Sequence, residues 1–328
     1  MSHNIRNEDV FVVGKAAWHG LGTVLDNPAT AREALKVANL DFEVLQYPLF
    51  ADLGMNSAAG KHIVAPIKTR LANVRTDTNE VLGVVGTKYS VLQNQDAFDF
   101  FDVVVGDEEA IYHSAGVLGR GEKIWIMAKL PDYITIKGMD DIEVYVSLMS
   151  SHDGSSGLKA FVHLNRVVCE NTLQMALGNA KRMVSIRHTG DINQKVKEAH
   201  ELLGITNNYA AEVATIFDNM ASVKVDTKLT KYFVETLFPL PPAEVLDTLK
   251  RTPANDKYRV EVMQSIEAGP GQDLKTTAGT AFGLYNGVTH WLDHRKNYRN
   301  DSNRLDSVWF GNSAKIRQNA FNLALNIN

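Results

Sequence analysis

The chain has 328 residues and a mass of 36.3 kDa, with 45% hydrophobic, 22% charged and 8% aromatic residues. That is enough apolar chain for a sizeable core, and it excludes intrinsic disorder, collagen and coiled-coil arrays. Lys and Arg number 34 against 38 Asp and Glu, a net charge of −4 that excludes a uniformly basic nucleic-acid coat.

From the N-terminus, Met1–Asp9 is polar and lacks the apolar run of a signal peptide. Trp18-His19-Gly20-Leu21-Gly22 reads as a bent loop packed on a core. Residues 30–40 set Ala31, Ala34, Leu35 and Ala38 at helical spacing, with Thr30 as the cap. Residues 41–50 read as a strand ending near Pro48. Two more strands, 61–75 and 80–85, flank a turn at Asp77-Thr78-Asn79. A helical pattern follows over 94–104, with Phe98, Phe101 and Val105 on one face.

The middle third alternates. Residues 111–118, 123–130 and 142–149 are β-rich runs separated by Gly119-Arg120-Gly121 and Lys137-Gly138-Met139-Asp140-Asp141. Ile124, Ile126, Ala128 and Leu130 share one face, as do Val144, Val146 and Leu148, so an antiparallel sheet with one face on the core is expected. A polar loop, 150–157, leads to a strand over 158–164 and then to a helix from about Cys169 to Leu177. From Asp191 the pattern is helical: Val196 to Met220, Leu229 to Phe238 stopped by Pro239, Pro241 and Pro242, then 258–268, 277–298 and a last helix capped by Ser313. The fold expected is α+β, an antiparallel meander with packed helices followed by a mostly helical half. The domains expected are 1–190 and 191–328.

Candidate chemistry is sparse. Gly269-Pro270-Gly271-Gln272-Asp273-Leu274-Lys275-Thr276 lacks the glycine that a phosphate loop needs before its lysine, so a turn opening a helix is the reading. His290 and His294 lie at i and i+4 and could share one metal ion, but Trp291 stands where a metalloprotease carries its general base. Ser151-His152-Asp153 has the residue types of a triad, yet adjacency is not triad geometry, and a flexible loop is expected there. Trp125 and the Trp18 cluster are assigned to packing. The one cysteine, Cys169, rules out an internal disulfide, fits a reducing compartment and reads as a buried thiol. No apolar run is long enough to span a bilayer, so a soluble, cytoplasmic chain without membrane contact is expected. No catalytic residue and no cofactor are assigned.

Charge is distributed unevenly. Residues 155–191 carry Lys159, Arg166, Lys181, Arg182 and Arg187 against two acids, and 289–328 carry Arg295, Lys296, Arg299, Arg304, Lys315 and Arg317 against three. Both windows are therefore +3 within a chain whose remainder is −10. Cations interleaved with Tyr298, Trp309 and Phe310 could hold phosphates while aromatic rings stack on bases.

Several motifs together resemble one family: Trp18-His19-Gly20-Leu21-Gly22, Val84-Val85-Gly86-Thr87-Lys88-Tyr89 with Gln93-Asn94, and Ala115 through Trp125. Arg166-Val167-Val168-Cys169-Glu170-Asn171-Thr172-Leu173, Arg187-His188-Thr189 and Trp309-Phe310-Gly311 continue it in order. It is the phage/plasmid-like protein family, a domain of unknown function numbered nine-three-two, whose name implies a mobile genetic element in a bacterial host cell. The strand order from 111 to 177 is similar to the core of single-strand annealing proteins of the RecT/Redβ type, a likeness at the level of fold. It implies single-stranded DNA binding, strand annealing in DNA recombination without nucleotide hydrolysis, and a homo-oligomer. The groove residues would be Lys159, Asn165, Arg166, Asn171, Lys181, Arg182 and Arg187, with the 289–328 cations as a secondary patch. Two alternatives stand beside it: a counter-defence protein that binds a host protein, and a metal-dependent enzyme using His290 and His294.

Overall fold

A computed structural model describes residues 9–14, 22–27, 29–56, 61–98, 111–166, 171–173, 183–192, 194–195, 209–242, 245, 253–299, 304, 307–308 and 311–327. Eleven strands and six longer helices are found among them. The strands are β1 (Val10–Val13), β2 (Thr23–Leu25), β3 (Val44–Asn56), β4 (Lys61–Arg75), β5 (Val81–Gly86) and β6 (Ile111–Leu118). They continue as β7 (Lys123–Ile136), β8 (Asp140–Ser151), β9 (Leu158–Arg166), β10 (Asn171–Leu173) and β11 (Met183–Ile186). The helices are α1 (Ala31–Val37), α2 (Tyr209–Ser222), α3 (Thr227–Leu237), α4 (Ala254–Ala268), α5 (Ala281–His290) and α6 (Asn312–Leu325). The class is α+β, with largely antiparallel sheets first, in which β1 and β2 pair in parallel, and most of the helices after them.

The larger sheet has the order β10-β9-β8-β7-β6-β1-β2, with β11 also paired to β9, and β3-β4-β5 form a separate sheet. Two compact units interleave along the chain. The first is Met1–Pro131, Val146–Val162 and Lys181–Gly204; the second is Asp132–Tyr145, His163–Ala180 and Ile205–Asn328. Residue 190 falls inside the first.

In the first unit the alternation of β6 and β7 turns Ala115, Val117, Ile124 and Ile126 into the core with Phe11 and Tyr112. Trp125 is buried too, and it lies against Gly116, whose lack of a side chain leaves room for the indole. Thr30 caps α1 as expected, in a capping box with Glu33, whose carboxylate accepts from the Thr30 backbone N–H at 3.0 Å. The strand expected to end near Pro48 runs on to Asn56. β3 is the edge of its sheet, where a residue without an N–H costs no ladder bond, and the register shifts just after Pro48.

In the second unit α5 is buried all round, from Ala281 to Thr289. Phe282 meets Phe217 of α2 at 5.0 Å between ring centroids, and Tyr285 meets Phe321 of α6 at 5.6 Å. The turn before α5 is the glycine-rich stretch 269–280. It is occupied by its own hydrogen bonds: Gln272 Nε2 donates to the Gly283 carbonyl at 3.0 Å, and Thr276 Oγ1 to Asp140 Oδ2 at 2.9 Å. The helix expected over 169–177 is corrected, because Asn171–Leu173 is β10, antiparallel to β9. Cys169 lies outside the described residues.

Gly287 of α5 is in contact with the α4 backbone: a Cβ there would stand 2.7 Å from Ile266 Cα and 2.9 Å from Ile266 N. Backbone cannot rotate out of the way, so Gly287→Ala is expected to destabilise the protein by about 2–3 kcal/mol in urea unfolding. Gly86→Ala, with nothing within 4 Å of its added carbon, is the control expected to be neutral or slightly stabilising.

Candidate functional site

The segment leaving β8 was expected to be a flexible serine-rich loop. Instead, Ser151 and His152 are completely buried in the first unit, and the hydrogen-bond partners of His152 come from distant parts of the chain. The His152 backbone N–H donates to the Glu122 carbonyl at 2.7 Å, and its carbonyl accepts from Asn73 Nδ2 at 2.6 Å. Gly83 on β5 makes this approach possible, since a Cβ there would lie 2.5 Å from Asp153 Cα. On the ring side, Nε2 is 2.9 Å from Asn94 Oδ1. The Asn94 amide nitrogen already donates to the carbonyls of Leu40 (2.9 Å) and Phe42 (3.2 Å), which turns Oδ1 toward the ring. The proton therefore sits on Nε2, and Nδ1 is a bare, buried nitrogen with no hydrogen-bond partner among the described residues. Burial, then the nearby His188, push the pKa of His152 down to about 3, against an opposing pull from Asp153. The ring is neutral.

His188 follows β11 and is buried as well. It stacks on Tyr89, with centroids 4.7 Å apart and planes 15° from parallel. Its Nδ1 lies 3.1 Å from the Ser90 carbonyl and so donates, which leaves Nε2 to accept from Ser150 Oγ at 3.4 Å. Burial lowers its pKa, opposed by the Ser90 carbonyl. The Tyr89 hydroxyl donates to the Ser151 carbonyl at 2.5 Å, and its pKa is raised by burial and by the Asp153 charge. A β-bridge joins Tyr89 to Thr189, flanked by Ser90 N–H to the His188 carbonyl at 2.9 Å and Ser90 Oγ to the Gly190 carbonyl at 2.7 Å.

Chemically, this is a frame more than a reaction centre. Both imidazoles are neutral, the tyrosine keeps its proton, and the Tyr89, Ser90 and Ser151 hydroxyls donate to carbonyls. What the frame does is fix the residues at its rim. Lys88 and Arg187 are exposed next to the bridged pair, and Lys195 Nζ donates to the Thr189 carbonyl at 2.6 Å. Lys159 on β9 pairs with Ser185 on β11, two residues before Arg187.

Of the expected groove residues, Lys159 on β9 and Arg187, just past the end of the paired strand β11, both fall in the first unit. Asn165, Arg166 and Asn171 belong to the second unit, where Asn171 pairs with Arg166 and Thr172 with Asn165. Lys181 and Arg182 lie outside the described residues. Sequence reasoning missed Tyr89, Asn94, His152 and His188 as one cluster, although Lys88-Tyr89, Gln93-Asn94 and Arg187-His188-Thr189 had been noted as motifs.

The cations of the secondary patch all fall in the second unit. Arg317 is 0% exposed in the second unit, paired with the carboxylate of Asp293 and donating to the Val308 carbonyl at 3.0 Å. Arg304 donates to the Asp293 carbonyl. Lys296 is half-buried, its Nζ 2.7 Å from Ser313 Oγ, and burial followed by the Arg317 charge lowers its pKa. Ser313 does not cap α6, whose cap position is Gly311; its hydroxyl meets Lys296, Tyr298 (3.0 Å) and Ser307 (2.9 Å). Arg295 reaches Gln264 Oε1 at 2.8 Å, and Arg299 and Lys315 are exposed. Most of that window's charge holds the second unit together.

His290 and His294 have ring centroids 5.2 Å apart. Burial, then His294, push the pKa of His290 down to about 4. Among the described residues no group of three or more His, Cys, Asp or Glu could hold a metal ion, and no helix is long and apolar enough to cross a membrane.

A family model described as "Domain of unknown function (DUF932)" matches residues 81–309. That span contains Tyr89, Asn94, His152 and His188, along with the cations at their rim. No solved structure matches the chain.

Two outcomes follow from these sites. His152 and His188 both titrate lower in the folded chain than in the unfolded one, where the ordinary value is about 6.5. Their contribution is fully present above that pH and is lost as pH falls, because the unfolded state then takes up protons that the folded state refuses. Each adds a slope of up to about 1.4 kcal/mol per pH unit. Urea unfolding at pH 7, 6 and 5 should show it, and His152→Gln should flatten the dependence by about one proton; an unchanged slope contradicts the neutral buried ring. Separately, Arg317→Ala is expected to cost about 3–5 kcal/mol, since it strands the Asp293 charge in the core. Arg317→Met with Asp293→Leu should recover much of that loss.

Proposed function

The chain belongs to the family Domain of unknown function (DUF932), whose description carries no activity, and from its own residues we propose that it binds single-stranded DNA and promotes annealing without nucleotide hydrolysis. The observation that carries this reading is the cationic rim of the first unit. Lys159 on β9 pairs with Ser185 of the antiparallel β11, Arg187 follows one residue after that strand ends, and the Tyr89–Thr189 bridge brings Lys88 and Lys195 beside Arg187. A phosphate backbone needs such a run of cations, and the neutral imidazoles beneath it add no opposing charge of their own.

Annealing asks for little more than this. Backbone charge is neutralised, bases are left facing outward, and complementary strands are paired by position. The strand order read from the sequence over 111–166 is similar to the meander of single-strand annealing proteins of the RecT/Redβ type and supports the same reading, without the helix expected after it. So does the separation of roles between the two charge windows, in which the second is largely consumed in packing.

Fluorescence anisotropy of a labelled oligothymidylate titrated with the full chain tests it. Affinity should fall steeply between 50 and 200 mM salt, with a slope of about −0.7 per phosphate neutralised on a single strand. Replacing Lys88, Lys159, Arg187 and Lys195 together by alanine should weaken binding more than tenfold and flatten the slope, whereas Lys315→Ala should change neither. No binding at low salt, or binding indifferent to salt, contradicts the proposal.

A further inference from the structure

The outer face of the β3-β4-β5 sheet points to a second copy of this chain. Register puts Leu45, Val74 and Val81 in one row across the three strands, and Tyr47, Ala72 and Val84 in the next. Leu49 and Ile67, then Ala51 and Ala65, extend it along the two-stranded part of β3 and β4. All ten are uncharged, and Leu45, Tyr47, Val81 and Val84 remain 44%, 48%, 46% and 51% exposed. The other face of the same strands behaves as a core face should: Val44, Asn73, Arg75 and Val85 are buried. An antiparallel sheet ordinarily shows water a polar face. Here the outward rows are apolar instead, and among the described residues the opposite face is covered over the three-stranded part, while Phe50 and Val64 beyond it are exposed as well.

We propose that this face is the interface of a two-fold dimer, with the strands of the two copies running in opposite directions. Three observations select a second copy over other occupants. First, the rows carry no cation to hold a phosphate or a lipid headgroup, and a uniform Val/Leu/Ala surface is complementary to itself, as a two-fold contact requires. Second, the sheet is polarised along its strands. Exposed Asp41 and Glu43 lie at one end, beside the Arg75–Asp77 pair, while Lys68 and Arg70 are exposed toward the other, where His62 is paired with Asp52. A head-to-tail pair sets the acidic end of each copy against the basic end of its partner, whereas a head-to-head pair opposes like charges. Third, Leu45, Tyr47, Ile67, Val81 and Val84 are all well exposed side by side in these rows, a contiguous apolar patch of the kind that marks a protein–protein contact.

The dimer is separate from the strand-binding rim, so its test needs no nucleic acid. Sedimentation velocity of the full chain from 1 to about 100 μM should show a reversible dimer of the wild type. Tyr47→Glu with Val84→Lys should raise the dimer dissociation constant more than a hundredfold, roughly the factor that 3 kcal/mol corresponds to. Both sites are exposed, and circular dichroism should stay unchanged. Lys68→Glu with Arg70→Glu should weaken association about tenfold, and adding Asp41→Lys with Glu43→Lys should restore it. A wild type that stays monomeric throughout, or a dimer that survives Tyr47→Glu with Val84→Lys, overturns the interface. Failure of the combined charge reversal to recover overturns the head-to-tail arrangement.

Discussion

The imidazole of His152 is stripped of water, and its surroundings have to supply hydrogen bonds that water would otherwise make. A buried donor left without a partner costs about 1–3 kcal/mol, so the ring can be seated only if several remote segments arrive together. Asn94 provides the acceptor for Nε2, and is itself oriented by the carbonyls of Leu40 and Phe42. Asn73 holds the backbone carbonyl, and Gly83 clears the space in which Asp153 sits. The segment between β8 and β9 is thereby tied to β4, β5 and the helical turn at 94–98. His188 and Tyr89 extend the same logic, each using a main-chain carbonyl of the other's neighbourhood, and the basic rim inherits its position from that lattice.

The second unit applies the rule to full charges. Arg317 and Asp293 are both removed from water, and the pair is tolerable because Val308 and Arg304 supply further hydrogen bonds around it. Lys296, Ser313, Tyr298 and Ser307 make a second buried polar knot beside it. Counting charge along the chain cannot separate such residues from exposed ones. Two windows of equal net charge therefore have different fates, one partly at a surface and the other folded into a core.

Local rules were enough for much of the fold. The Thr30-x-x-Glu33 capping box and the turn at Asp77-Thr78-Asn79 each declare themselves within a few residues, whereas the alternation expected in β8 is lost because every residue from Val144 to Ser151 is buried. Misreadings came where the deciding partner is distant. Asn171–Leu173 is a strand because β9 lies beside it, which no three-residue window can express. Pro48 sits within β3 because that strand is an edge, a property of the whole sheet. Ser313 has the residue type of a helix cap, but Lys296 and Tyr298 claim its hydroxyl. Likewise Ser151-His152-Asp153 has the composition of a loop, and only Asn73 and Asn94, more than fifty residues away, make it a core element. The motifs that flagged the family, Lys88-Tyr89, Gln93-Asn94 and Arg187-His188-Thr189, were visible; their convergence was not.

A frame of neutral imidazoles that presents cations suits a partner recognised by its backbone charge better than a substrate recognised by its reactive group. Photocrosslinking of an oligothymidylate to the intact protein, with the attached peptides identified by mass spectrometry, addresses that claim directly. The account predicts crosslinks concentrated on the segments carrying Lys88-Tyr89, Lys159 and Arg187 to Lys195, suppressed by high salt. Crosslinks confined to the helices of the second unit, or none at low salt, would contradict it.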